Sequence, residues 1–463
     1  MVVGQTMEAI AKRRVALYVP AFALAALAVV IARRPETVFR PQFFNEDGQV
    51  FYIATFFDDP WSVTTRPYAG YLHLAPRLGA WATRLVSVPD APLLANLLAL
   101  ALSVVVGAYV ASGRTAGWLP NRWARTAGAL FVVLVPGSAE TLGSLTYIQW
   151  YLAVWLAVWL VSSRPAGPWA LALDSIMVTV AALSGPFVVL LAPCLIAKLV
   201  GCHGKDRLAP FLGLVGAGVQ IGVLITADRH GLAGMPGPGD VLQVVAYRGL
   251  LASAAGPTIA TIASRMDLGI AFGVGAAFSL AVLLAVAVWG IPRGVLLPLV
   301  WSAGASLAGA IAAQTAGPSA IMTDAFGGQR YFLVPATIYG LAVISGVAVR
   351  SRRARMTARV LVAILVVGVV VDFRLAPQPD LKWPTSSPCI GGTVPCGAGA
   401  LRGRVVDLLA GARRSLCPTA ADGNRHDPPE PLSPSRRRGR CQGGVSRQGF
   451  VSRHLNASRY HRR

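Results

Sequence analysis

Acidic residues are scarce in this chain. Only 20 of its 463 residues are Asp or Glu, against 42 Lys and Arg, and charged residues of all kinds make up 13%. Hydrophobic residues make up 54%, which predicts an integral membrane protein with several spans rather than a soluble domain. In such a chain the net charge of +22 comes from Lys and Arg whose positions between the spans indicate the orientation in the membrane. We therefore do not expect nucleic acid as a partner.

Several familiar sites are also missing from the sequence. There is no phosphate-binding loop of the Walker type and no dinucleotide-binding glycine motif, which argues against an ATP-driven pump. The six cysteines form no Cys/His group with zinc spacing, since Cys202–His203 stands alone. We therefore expect neither a metal ion nor an organic cofactor.

Hydrophobic runs predict eleven transmembrane helices. They lie at 15–31, 91–112, 127–138, 147–162, 168–184, 186–200, 208–227, 268–291, 294–315, 331–349 and 360–376. The fifth and sixth runs alternatively form one long tilted helix. A turn at Ser184–Gly185–Pro186 keeps Arg164 and the basic residues around Lys205 on one side of the membrane, as the positive-inside rule requires, so we predict two helices.

Basic residues between the spans predict a plasma-membrane protein with its N-terminus in the cytoplasm and its C-terminus outside. With eleven spans, the short basic turns all fall inside. The outer side then receives the long first loop, 33–90, and the connections at 138–146, 184–186, 228–267 and 327–331. We expect the first span to be retained, because Arg33–Arg34–Pro35 occupies the place where a signal peptidase needs small residues.

Two neighbouring acids stand in the first outer loop, in the sequence Asn45–Glu46–Asp47–Gly48. Ionisable groups close to the bilayer are costly to desolvate and mark functional sites. The acids serve either as a helix cap, as a general base that takes a proton from an acceptor hydroxyl, or in ion coordination or transport. The following segments, Val50–Phe57 and Tyr68–Val86, show aromatic and apolar residues at helical spacing, which predicts amphipathic helices in the membrane interface.

In this plan the chain resembles the membrane-integral GT-C glycosyltransferases, which take sugars from polyprenyl phosphates. The resemblance covers residues 10–390 and rests on the acidic pair Glu46–Asp47, the interfacial segments after it, about eleven spans and an outer tail. It implies inversion at the anomeric carbon, with Asp47 as the first choice for the base and Glu46 as the second. The further acidic pair that many members carry is absent, which argues against a metal-dependent variant. The single acids in later outer loops are Glu140, Asp228, Asp240, Asp267 and Asp324.

Candidates for substrate binding lie on the same predicted face. Arg330 stands directly before the tenth span, against the positive-inside trend. Its guanidinium suits a lipid phosphate, although a side chain that snorkels at a helix end is the alternative. Gln149 and Trp150 suit a sugar, with helix packing as their alternative. The remaining candidates for contacts with the substrate are Arg66, Arg77, His73 and Tyr331.

Composition divides the chain into three parts. Residues 1–376 form the transmembrane domain, 377–398 a short outer appendage and 399–463 a basic tail. In the appendage, Cys389 and Cys396 lie close enough to form a small disulfide loop. The composition of the tail predicts disorder. The tail either binds anionic lipid or is the product of a frameshifted gene end.

The sequence thus predicts an all-α, polytopic membrane enzyme that transfers a sugar from a polyprenyl phosphate to a cell-envelope glycan or glycolipid. Its expected partners are membrane lipid, the lipid-linked sugar and the acceptor, with no oligomeric state implied. Three alternatives stay open: a transporter or flippase of lipid-linked or small polar substrates, a polysaccharide polymerase, and an assembly factor without an active site. A transporter predicts inverted repeats and intramembrane charges; no repeat is evident, and Asp174 is the main buried acid.

Overall fold

The structure is a computed structural model that describes residues 2–44, 46–227, 237–265, 269–312 and 328–378, together with Leu381 and Trp383. Over these residues the chain forms helices, turns and loops and no β-strand, which confirms the all-α fold class. Parts of the predictions fall outside the described residues: Asn45, Gly327, Asp228, Asp267, Asp324, the Cys389–Cys396 loop, nearly all of the appendage 377–398 and the whole tail 399–463.

Eleven helices of ten or more residues follow one another in the described part of the chain. They are α1 Val2–Arg33, α2 Ala91–Ala111, α3 Arg122–Leu134, α4 Ile148–Leu160, α5 Pro168–Ala182, α6 Ala192–Gly201, α7 Leu208–Thr226, α8 Gly269–Ala287, α9 Arg293–Ala312, α10 Leu333–Gly346 and α11 Arg352–Val371. Each overlaps one of the eleven predicted runs. Local signals start several of them: the Asn121 side chain caps α3 by accepting from the Ala124 N–H at 2.7 Å, and Pro168 is the first residue of α5.

Short helical segments fill the long first loop. They are Glu36–Phe39, Asp47–Tyr52, Ala54–Phe57, Pro60–Thr65, Leu74–Ala82, Thr83–Leu85 and Val88–Asp90, of which Asp47–Tyr52 is π-helical. The loop therefore differs from the two continuous helices predicted over Val50–Phe57 and Tyr68–Val86. The second prediction fails at its start because Gly70 takes a φ of 86° in a turn. Tyr68 and Tyr71 exchange backbone hydrogen bonds across this turn.

Four helical stretches are long and apolar enough to cross a membrane: Val88–Ala111, Gly204–Thr226, Arg293–Ala312 and Arg352–Val371. Three of them expose several large apolar side chains, which suits contact with lipid; examples are Phe211 on α7, Leu297 and Val300 on α9, and Val366 and Val370 on α11. Five further apolar stretches have only 10–17 residues whose side chains are described, and two of these stretches belong to the longer helices α1 and α8. A straight crossing needs about 20 residues. Membrane association is thus supported, and eleven crossings stay a prediction.

The loops of the bundle gather at two ends. At one end, Arg33 closes α1 and donates to the Val133 carbonyl oxygen at 2.8 Å and to the Asp372 carbonyl oxygen at 3.4 Å. The ends of α1, α3 and α11 therefore meet, and we call this the Arg33 end. At the opposite end, the Ser345 hydroxyl near the end of α10 donates to the Trp118 carbonyl oxygen at 2.7 Å. Which compartment each end faces stays a prediction.

The chain breaks between α5 and α6 at Ser184–Gly185–Pro186. Asp174 in the middle of α5 pairs with Arg114 at 2.7 Å, and Arg114 donates to the Ser163 carbonyl oxygen at 2.9 Å. Lys198 near the end of α6 donates to the Ser162 carbonyl oxygen at 3.3 Å. One continuous helix would hold positions 174 and 198 about 36 Å apart, so α5 and α6 form a hairpin and the single long helix is excluded.

The two central helices, α4 and α10, are buried on every side. All 13 residues of α4 and all 14 of α10 are buried, as expected for helices that are apolar all round. Glycine allows these helices to pack closely, as small residues in apolar runs predict: a Cβ on Gly340 of α10 would lie 2.0 Å from the Phe131 ring of α3. Both central helices begin at the Arg33 end.

Candidate functional site

A buried loop joins α3 to α4 at the Arg33 end and runs through residues 135–147. Buried loops are rare because their backbone polar groups need partners. Here Arg33 donates to the Ser138 hydroxyl at 3.0 Å, and Arg34 donates to the Ala139 carbonyl oxygen at 2.6 Å. Two arginines that in the sequence mark only the end of the first span therefore hold the loop in place.

Asp47 holds the far end of the same loop. Its side chain is 0% exposed, and its carboxylate accepts from the N–H groups of Leu145 at 3.0 Å and Thr146 at 2.6 Å. It also accepts from the hydroxyls of Thr146 at 2.5 Å and Ser144 at 3.3 Å. Burial raises the pKa of Asp47 to about 7, although the bonds from Thr146 and Leu145 lower it. Both carboxylate oxygens face the protein.

Glu46, the neighbouring acid, lies in a different environment. The Tyr147 hydroxyl donates to its Oε2 at 3.1 Å, and the side chain is only half-buried. Burial and the charge of Glu46 raise the pKa of the Tyr68 hydroxyl, which places this second tyrosine close to the carboxylate. Glu46 therefore lies beside Tyr147, which directly precedes α4, and beside Tyr68 of the first loop, with part of its surface open.

Arg330 lies just before α10 and contacts the ring of Tyr147. Its guanidinium carbon is 4.8 Å from the centre of the Tyr147 ring and 4.7 Å from that of Tyr331, within cation–π range. Its Nη1 pairs with Glu140 at 3.2 Å, and the side chain is 27% exposed. The Glu140 carboxylate also accepts from the N–H groups of Gly328 at 2.9 Å and Arg330 at 3.0 Å. The buried loop, through Glu140, thus positions Arg330.

Gln149 and Trp150 open α4 next to these groups. The Gln149 amide donates to the Tyr71 hydroxyl at 3.2 Å. The Trp150 ring meets the Phe187 and Tyr331 rings edge to face, at 4.5 and 5.3 Å. Burial raises the pKa of the Tyr71 hydroxyl to about 12, and Tyr331, Arg330 and Glu46 lie near enough to add smaller effects.

Arg66, Arg77 and His73 make no direct contact with Arg330 in the described structure. Arg66 is exposed and pairs with Asp58 at 2.8 Å. Arg77 is buried, donates to backbone carbonyl oxygens and lies 4.7 Å from the centre of the Phe51 ring. His73 stacks on Tyr71 at 4.4 Å, and burial lowers its pKa to about 3. At neutral pH the His73 imidazole is therefore uncharged, and it packs against one face of the Tyr71 ring.

The contacts join one set of residues, which we call the aromatic–ionic cluster: Glu46, Tyr71, Tyr147, Gln149, Trp150, Arg330 and Tyr331. Sequence reasoning had proposed five of them for a site. The sequence places Tyr71 only within the predicted interfacial segment Tyr68–Val86 and indicates no role for Tyr147, although Tyr147 stands two residues before Gln149. Sequence reasoning also considered Glu140 only as part of an acidic motif, whereas the structure makes it the partner of Arg330.

Comparisons with known proteins identify no relative: no family model, no curated protein and no solved structure matches the chain. Within the described residues, no group of three His, Cys, Asp or Glu side chains is arranged to hold a metal ion. The chemistry of the aromatic–ionic cluster is therefore the basis for a functional assignment.

Proposed function

We propose that this protein is an integral membrane glycosyltransferase of the GT-C type, which moves a sugar from a polyprenyl phosphate to a hydroxyl of a cell-envelope acceptor with inversion. One observation carries the proposal: a half-open carboxylate, Glu46, and a guanidinium, Arg330, flank the same tyrosine, Tyr147, in a chain with membrane-crossing helices. Transfer from a glycosyl phosphate needs a base for the acceptor and a cation for the leaving phosphate. The aromatic–ionic cluster contains one of each.

Glu46 takes the role of the general base. It removes the proton of the acceptor hydroxyl while the acceptor oxygen bonds to the anomeric carbon and the bond from that carbon to the phosphate oxygen breaks. This assignment departs from the sequence-based preference for Asp47. The pKa of Asp47, about 7, would suit a base, but its oxygens are occupied by four protein donors and its side chain is fully buried. Asp47 therefore positions the segment that carries Tyr147.

Arg330 binds the phosphate that leaves. A guanidinium has five N–H donors in one plane, more than its side-chain contacts with Glu140 and Tyr331 require. In addition, α4 and α10 both begin within the cluster, and the N-terminus of a helix attracts anions. These features favour phosphate chemistry at this end of the bundle, which faces outward in the predicted orientation. The scheme needs no divalent metal ion.

A transporter or flippase for lipid-linked substrates is the second candidate. The ion pair between Arg114 and Asp174, at 2.7 Å, is the observation that favours it, because buried charges in membrane helices often mark transport paths. This pair lies at the end of the bundle opposite the aromatic–ionic cluster. It also holds the turn after α4 in place through the Ser163 carbonyl oxygen, which gives it a structural role.

Reconstitution separates the candidates. The full-length protein is placed in liposomes with radiolabelled polyprenyl-phosphate sugars and cell-envelope acceptors, with and without EDTA. We expect label in the acceptor, in equal amounts under both conditions. Exchange of label across the vesicle wall without any transfer would contradict the proposal and support a transporter. Transfer of many sugar units per acceptor would instead indicate a polymerase.

A further inference from the structure

Two buried polar atoms in the aromatic–ionic cluster have no hydrogen-bond partner within the described residues: Oε1 of Gln149 and Nε1 of Trp150. Both side chains are well buried, with exposed fractions of 3% and 6%. A buried polar atom without a partner is costly, so such atoms call for an explanation. The Gln149 amide group is already held on its other side, where its nitrogen donates to Tyr71.

The two side chains border the same break in the chain, at Gly185–Pro186. A Cβ built on Gly185 would lie 2.9 Å from Gln149 Oε1 and 3.5 Å from the Phe187 ring, and that ring packs against Trp150. Trp150 in turn packs against Tyr331, the neighbour of Arg330. The two side chains therefore connect the helix break to Tyr331, which lies against the proposed phosphate ligand.

We infer that Gln149, Trp150 and the Gly185 break form a subsite for the sugar ring of the donor, in which a ring hydroxyl donates to Gln149 Oε1 and accepts from Trp150 Nε1. Only a group that both donates and accepts satisfies this pair, which a hydroxyl does and a phosphate or an ammonium does not. The rings of Tyr71, Trp150 and Phe187 supply the apolar faces that a sugar's C–H groups contact. The inference rests on the proposed function, because it places the sugar beside Arg330.

Binding measurements test the subsite without relying on transfer. The probes are a panel of farnesyl-phosphate hexoses and pentoses, with farnesyl phosphate as the sugar-free reference, and the full-length protein is held in nanodiscs. Gln149→Leu removes the amide, and Gly185→Ala pushes the amide oxygen aside without removing it. Gln220→Leu is the matched control, because Gln220 is equally buried but bonded to Leu72 and Ala182. Only variants that remain monodisperse with native helix content are compared.

We expect at least one sugar-bearing probe to bind the parent protein more tightly than farnesyl phosphate does. Gln149→Leu and Gly185→Ala should weaken binding of that probe by about 10-fold or more, while Kd for farnesyl phosphate stays unchanged in both. Gln220→Leu should leave the ratio of the two Kd values as in the parent.

In the binding measurements, any of three results would overturn the subsite: no sugar-bearing probe that binds the parent more tightly than farnesyl phosphate, a sugar-dependent gain in affinity that survives Gln149→Leu, or equal weakening of farnesyl phosphate and its glycosides in that variant. A different result would refute the proposed function: a protein that binds the probes but transfers no sugar. If the parent and Gln149→Leu transfer sugar at the same rate at low donor concentration, the subsite is wrong and the proposed function still holds.

Discussion

Replacement of Arg330 by lysine tests the phosphate ligand while the positive charge is kept. Lysine offers a single ammonium group in place of a planar fork, so it cannot reach Glu140, Tyr331 and a phosphate together in the arrangement that Arg330 has. One hydrogen bond to a charged group is worth about 1.5–3 kcal/mol. Because the Arg330 side chain is 27% exposed, solvent screening favours the lower part of this range, which corresponds to roughly 10- to 30-fold in affinity.

The assay is binding of farnesyl phosphate to the full-length protein in nanodiscs, together with KM for the donor. Arg66→Lys is the matched control, since Arg66 is the rival phosphate ligand and its exposed pair with Asp58 lies outside the aromatic–ionic cluster. We expect Arg330→Lys to raise both Kd and KM, and Arg66→Lys to change neither. Equal affinity in Arg330→Lys and the parent, or an equal loss in Arg66→Lys, would refute the assignment.

Two further predictions concern stability. The pKa of Asp47 is raised to about 7 by burial, so the folded protein retains a proton that the unfolded chain releases near pH 4. The free energy of unfolding should therefore fall as pH rises from about 5 to about 7 and then level off. Thermal unfolding in detergent should show this dependence on pH in the parent and not in Asp47→Asn. The same dependence on pH in both proteins would contradict the prediction. Gly340→Ala should lower the free energy of unfolding by about 1–3 kcal/mol, because its Cβ would lie 2.0 Å from the Phe131 ring. Gly218→Ala is the control, since a Cβ there meets nothing within 4 Å, and an equal loss in both variants would rule out the packing explanation.

Each of the eleven long helices in the described part of the chain overlaps a run that hydropathy identifies, because a run of apolar residues of this length is stable as a helix in the bilayer or in the core of a helical bundle. The break at Ser184–Gly185–Pro186 was predictable from Gly and Pro together with the basic residues on either side. The conformation of the first loop was not predictable from the sequence. Gly70 is compatible with both a helix and a turn, and the turn is fixed by the backbone hydrogen bonds between Tyr68 and Tyr71.

The two acids of the first loop show what sequence spacing leaves open. Glu46 and Asp47 are adjacent, and nothing in their order indicates which one faces the protein. That depends on the segment 144–146, about a hundred residues later, whose N–H groups take up Asp47. Likewise, the roles of Arg33 and Arg34 depend on the loop after α3, which no local pattern connects with the end of the first span.

The rate of sugar transfer by Glu46→Gln tests the central claim most directly. Gln keeps the size of Glu46 and can still accept the hydrogen bond from Tyr147, but it cannot take up a proton from the acceptor. Loss of a general base typically costs about 100- to 10,000-fold in rate. The matched control is Asp90→Asn, an exposed acid of the same loop that accepts from Ser87. We predict that Glu46→Gln lowers kcat by at least about 100-fold with unchanged binding of farnesyl phosphate, while Asp90→Asn transfers at the parent rate. Parent activity in Glu46→Gln would contradict the account.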